Sequence, residues 1–396
     1  MRLRSSLLLL NLTFTAAWLS GCTPAVAPGP LVTTPRASHA PAATAATEDA
    51  CRAIVRRLST AGSGAARPQI AGNDDAFAVA WEETTDHRGV RVQTFDDAAR
   101  PLGPSSEVAD VSRSGADPRV VADGAGFLVL WTVEEGDSSV INVRHLDRAG
   151  KPTGDIVPLV TSPGARALAA ASFGSDYAVA WWNWSGLPHV VSVRYFDHRD
   201  QPLGKPFVVS RAPSPDPTVD LAPRLDGHAL IGWEEMINGE QHVMTALLTR
   251  TALDGRRDLG AGETPELAGD RLIWELPADA GLYLASAAGG TALRFTDGHT
   301  PAATTRPDGR GALCFVRDTS LEEGRADELW CGNLTDGRLT QATKLAMAPR
   351  GILTLQTAAS KLRLAAAWQA QEDDDTSVSL ATVSCRGDGG SSPARP

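Results

Sequence analysis

RPQIAGNDDAFAVAWEETTDHRGVRVQTFDDAARPLG, residues 67–103, returns fifty residues later as DPRVVADGAGFLVLWTVEEGDSSVINVRHLDRAGKPTG (117–154), and again as ALAAASFGSDYAVAWWNWSGLPHVVSVRYFDHRDQPLG (167–204). Trp81, Trp131 and Trp181 mark the period, and Asp96, Asp147 and Asp197 keep nearly the same step. Before each tryptophan alternate residues are apolar: Phe77, Val79 and Trp81; Phe127, Val129 and Trp131; Tyr177, Val179 and Trp181. A period of two puts one face of an extended strand into a core, so these segments are strands and not helices.

Fainter copies follow: GHALIGW ending at Trp233, GDRLIWEL around Trp274, GRGALCFV around Phe315 and SKLRLAAAW ending at Trp368. With these the aromatic markers number seven. Each unit divides into four short strands, in the first copy Gln69–Ala71, Phe77–Trp81, Val90–Phe95 and a fourth near Ser106–Val108. Four-stranded units of this length, repeated in series, predict an all-β chain folded as a seven-bladed β-propeller over residues 51–388. The last unit supplies only three strands, ending in SVSLATVSC, while CRAIVRRL from Cys51 is a spare strand. Pairing the two would complete the seventh blade and close the ring.

The first three units resemble the W…FDxxGxPLG repeats of bacterial surface and secreted proteins. Blade six, TTRPDGRGALCFVRD, resembles the repeat of TolB-type periplasmic propellers. Both resemblances imply the fold and leave the function open.

Upstream, Arg2 and Arg4 precede an apolar stretch from Leu7 to Trp18, and Leu19-Ser20-Gly21 lead to Cys22. Residues 1–21 read as a signal peptide, too short to span a bilayer with ordinary flanks. LSGC resembles the lipobox of bacterial lipoproteins, which implies that Cys22 takes a diacylglycerol and becomes the amino terminus. Several acyl chains would anchor it stably, since each buried methylene adds about 0.8 kcal/mol. Thr23, rather than Asp, after the cysteine fits sorting to the outer membrane of a Gram-negative envelope. Residues 22–50, mostly Pro, Ala and Thr, read as a disordered tether, and 389–396 as a disordered tail.

The net charge of −10 argues against nucleic acid as a partner and against a second, electrostatic grip on anionic lipid. Cys51, Cys314, Cys331 and Cys385 form an even set in an exported chain and predict disulfides, Cys314 with Cys331 in one hairpin and Cys51 with Cys385 across the ends of the domain.

Catalytic signatures are missing: there is no GxSxG elbow, no HExxH and no SxDxGxxW box of the sialidase type, and the histidines are scattered. No catalytic residue and no metal ligand is assigned. The loops between second and third strands are acidic, with Glu82, Glu134, Glu234 and Glu275 among their residues, which predicts a rim for a basic partner or weakly held Ca²⁺. No cofactor is expected otherwise. The third loop, WWNWSGLPH, instead offers Trp182 and Trp184 as aromatic contacts for protein or sugar.

These readings favour a monomer or complex subunit that binds an envelope protein or glycan without catalysis. Alternatives are a glycan hydrolase or lyase with a site built from several blades, and a subunit of an outer-membrane assembly complex. Two carboxylates with raised pKa values in the central channel would favour the enzyme.

Overall fold

The computed structural model describes residues 51–385, apart from 86, 110–113, 125, 186–188, 225 and 320–325. The expectations placed on residues 1–50 and 389–396, Cys22 among them, lie outside the described residues.

Seven four-stranded antiparallel sheets follow one another in chain order and form the blades of a seven-bladed propeller. Their inner strands are Ala66–Gly72, Gly115–Asp123, Ala165–Phe173, Val219–Pro223, Glu263–Ala268, His299–Thr305 and Ile352–Ala359. Each neighbours the next around the axis, and the last meets the first. Among the described residues there is no α-helix, only a single 3₁₀ turn at Pro277–Asp279. Among the described residues no helix is long and apolar enough to cross a membrane.

The buried apolar side chains sort into seven clusters, one per seam between blades. The marker tryptophans occupy those seams: Trp131 packs with Val90 and Val92 of blade 1, and Trp81 with Ala358 and Val378 of blade 7. This is the reason for the fifty-residue period. A blade cannot bury both faces of its own sheet, so each needs a large side chain aimed at its neighbour.

The ring closes as the sequence predicts. Cys51–Arg57 pairs antiparallel with Asp375–Cys385 and becomes the outer strand of blade 7, with Cys51 directly opposite Cys385. A disulfide joins these two, and a second joins Cys314 to Cys331, also cross-strand partners, inside blade 6. Such bonds mark a protein of an oxidising compartment, extracellular or periplasmic.

Candidate functional site

The recurring polar residues explain themselves locally. In FDxxGxPLG the aspartate is a turn residue: Asp96 Oδ1 accepts the N–H groups of Ala98 and Arg100, Asp147 Oδ1 those of Ala149 and Lys151, and Asp197 Oδ1 those of Arg199 and Gln201, all at 2.9 Å. In the WEE motif of blades 1 and 4 the second glutamate caps the indole, Trp81 Nε1 donating to Glu83 and Trp233 Nε1 to Glu235, each at 3.0 Å. The residue straight after the marker reaches the next blade. Glu82 accepts the Asp117 N–H at 2.7 Å, Thr132 that of Ala167 at 3.3 Å, Glu234 that of Thr264 at 2.7 Å, Glu275 that of Thr300 at 2.9 Å and Gln369 that of Arg67 at 3.1 Å. These donors sit at the bulged starts of inner strands, where Arg67, Asp117, Thr264 and Thr300 hold φ near +50° and leave N–H groups outside the ladder.

Three of the four glutamates expected on the acidic rim are therefore engaged structurally, between blades. Glu82 is only 4 % exposed and is clamped by Arg88 at 2.7 and 2.9 Å; Glu234 is 1 % exposed and also accepts from Ser214 and Thr218. Glu275 is half-buried in its inter-blade bond, and only Glu134 of the four stands exposed. In the aromatic loop, Trp182 is 8 % exposed, fills the seam between blades 3 and 4 and lies 6.2 Å from the His189 ring, whereas Trp184 is 45 % exposed. The charge pattern of the loops was legible in the sequence, but not that folding spends it on bonds between blades.

A cavity of about 1170 Å³ runs down the axis, lined by the inner strands. Register places one belt of side chains at a single level: Gln69, Arg119, Ala169, Asp220, Glu266, Ala302 and Gln356 each pair with the residue just before its blade's aromatic marker. In a seven-membered ring blade 2 faces the seam of blades 5 and 6, so Arg119 stands across the axis from Glu266.

Charge divides this channel and its mouth. On blades 1 to 3, Asp117 is held by Arg67 and, bidentately at 2.9 and 3.0 Å, by Arg166. Burial alone would raise the Asp117 carboxyl, but Arg166, Arg119 and Arg67 hold it below the ordinary range. Desolvation lowers the Arg119 guanidinium to about 10 despite the pull of Asp117. Its Nη1 donates to Pro118 O at 2.6 Å and its Nε to Leu168 O.

On blades 4 and 5 the sign reverses. Asp220 accepts the N–H groups of Leu221 at 2.8 Å and Leu267 at 2.7 Å, and Glu266 that of Ala303 at 3.2 Å. Burial pushes Asp220 up to about 6, and burial together with the Asp220 charge pushes Glu266 well above the carboxylate range. Glu263 is raised by burial and by neighbouring Glu275 and Glu234.

Motif searching missed Asp220 and Glu266, although a polar residue recurs at this point of otherwise apolar inner strands, in RPQIA, DPRVV, TVDLA, TPELA and TLQTA. Elsewhere, His299, Asp318 and Asp327 bring ligand atoms within 4.8 Å of one another and could hold a cation. Asp327 already accepts the Ile352 N–H at 2.7 Å, and His299 Nδ1 contacts Thr300 Oγ1 at 2.9 Å.

No protein-family model matches the chain, and no curated protein matches it. Among solved structures it is similar to a prolyl endopeptidase (16 % identity, TM-score 0.47, 77 % of this chain and 45 % of that one). It is similar also to Trypanosoma rangeli sialidase (11 % identity, TM-score 0.47, 85 % and 58 %). A third is an N10 neuraminidase-like protein of a bat influenza virus (10 % identity, TM-score 0.45, 68 % and 94 %). The chain spans about half the length of the first two. These likenesses concern the fold.

Proposed function

We propose that this chain is an exported, lipid-tethered β-propeller of the bacterial envelope that captures a ligand in its central channel without acting on it. The observation that carries the reading is the channel: an axial cavity of about 1170 Å³ with a charged belt contributed by separate blades. Such a concave site with a few convergent polar groups is the form ligand pockets take. The LSGC sequence at Cys22 supports the tether and the two disulfides support export. Sorting to the outer membrane belongs to the same proposal.

Crosslinking in the native envelope tests the capture, comparing wild type with Gln356→Trp, which narrows the channel from a half-buried wall position. Loss of the crosslinked species with folding intact supports the reading; equal capture by both moves the site away from the channel. For the tether, Cys22→Ser should shift the protein from the membrane to the soluble fraction.

A second reading, a glycan hydrolase or lyase, is favoured by one specific observation, the Asp220 and Glu266 pair. Two carboxylates whose ionisation is opposed by burial and by each other are the arrangement that supplies a general acid at neutral pH. Turnover of a glycan by wild type, lost in Glu266→Gln, would establish catalysis in place of capture.

A further inference from the structure

The two halves of the channel belt differ in what satisfies their charge. Arg67, Arg88, Arg119 and Arg166 gather on blades 1 to 3 around Glu82 and Asp117. Across the axis, Asp220 and Glu266 make no ion pair among the described residues, and their hydrogen bonds come from backbone N–H groups. Acids left this way in a recessed site are costly unless they stay protonated or meet a cation. On blade 7, elsewhere along the cavity lining, Thr357 is nine-tenths buried and its hydroxyl has no hydrogen-bond partner among the described residues. A ligand that met this arrangement without leaving a group unpaired would carry a positive end toward blades 4 and 5 and a negative end toward blades 1 to 3.

Resting on the channel reading above, we propose that the ligand is a zwitterion, an amino acid or short peptide, with its ammonium at Glu266 and Asp220 and its carboxylate at Arg119. Arg119 suits the second role because a guanidinium holds a carboxylate by directed bonds, and its Nη2 is not used by Pro118 or Leu168. Glu266 suits the first because only its Oε2 is engaged, by Ala303. Ala169 of blade 3, at the same level, lines the cavity with a small side chain.

Calorimetric titration of the full chain with dialanine, N-acetyl-dialanine and dialanine amide tests this, with chitotetraose as an uncharged probe. Dialanine should bind, and blocking either end should weaken it by about tenfold or more, the scale of one charge-assisted hydrogen bond. Glu266→Gln keeps an acceptor for Ala303 and should weaken dialanine while leaving the N-acetyl form unchanged. Arg119→Lys, which keeps the charge and loses the fork, should weaken dialanine and leave the amide unchanged. Equal binding of all three dialanine forms overturns the proposal. Binding of chitotetraose without dialanine overturns it while sparing the channel as the site, and binding of no probe removes both. Melting curves of each variant separate lost binding from lost folding.

Discussion

Glu82 does two jobs with one carboxylate: it neutralises Arg88 and receives the Asp117 N–H of blade 2. Glu82→Ala should cost about 1–3 kcal/mol by stranding a buried donor and a guanidinium, whereas Glu82→Gln keeps an acceptor and should cost less. Urea unfolding would show this as a lower midpoint at unchanged slope. Glu266 makes the opposite case. A carboxyl raised on folding binds more protons in the native than in the unfolded state between its two pKa values, so it subtracts stability as pH climbs from about 4 through the folded value. Relative to wild type, Glu266→Gln should therefore gain melting temperature steadily from pH 4 to pH 7; a constant difference would mean that the pair ionises normally. Trp184→Phe should remove most of the iodide-quenchable fluorescence, since its indole is exposed while the marker tryptophans lie in seams. At this scale the sequence disclosed residue types but not duties. Trp182 and Glu82 occupy equivalent positions after a marker, and only the seam each faces tells the aromatic plug from the inter-blade staple.

Strands and turns were the most legible level, because each carries its own signal: alternation for the strand, Asp followed by a left-handed residue for the turn. Ala99, Gly150 and Asp200 take that left-handed place in the first three blades. Strand ends were less legible. Inner strands begin earlier than alternation implies, at Ala66 rather than Gln69 in blade 1, because a bulge interrupts the period there. The outer strand Cys51–Arg57 pairs with one strand only and is joined to it by a covalent bond. Chain entropy assigns a crosslink across 334 residues about 6 kcal/mol, and one across 17 about 3 kcal/mol. Replacing Cys51 and Cys385 by serine should accordingly lower the melting temperature more than replacing Cys314 and Cys331, and should expose Arg52, Arg56 and Arg57 to trypsin first. Peptide mapping with and without reductant reads the outcome.

Around the whole ring, the seven-fold architecture could be counted from aromatic markers alone, while the belt of Gln69, Arg119, Asp220, Glu266 and Gln356 could not be seen without the register that aligns them. Residues 46 apart, such as Asp220 and Glu266, become electrostatic neighbours only when two blades stand side by side. The closing strand carries a further consequence, for the order of events in time. Cys51 is synthesised and exported ahead of every blade, yet its partner strand Asp375–Cys385 comes after nearly all of them. Until then the early strand is an edge with unsatisfied backbone groups, open to mispairing or proteolysis. Contacts of such long sequence separation form slowly. The domain is thus a structure whose first segment must wait for its last, and its yield in the cell should respond to whatever chaperone and oxidant guard that interval.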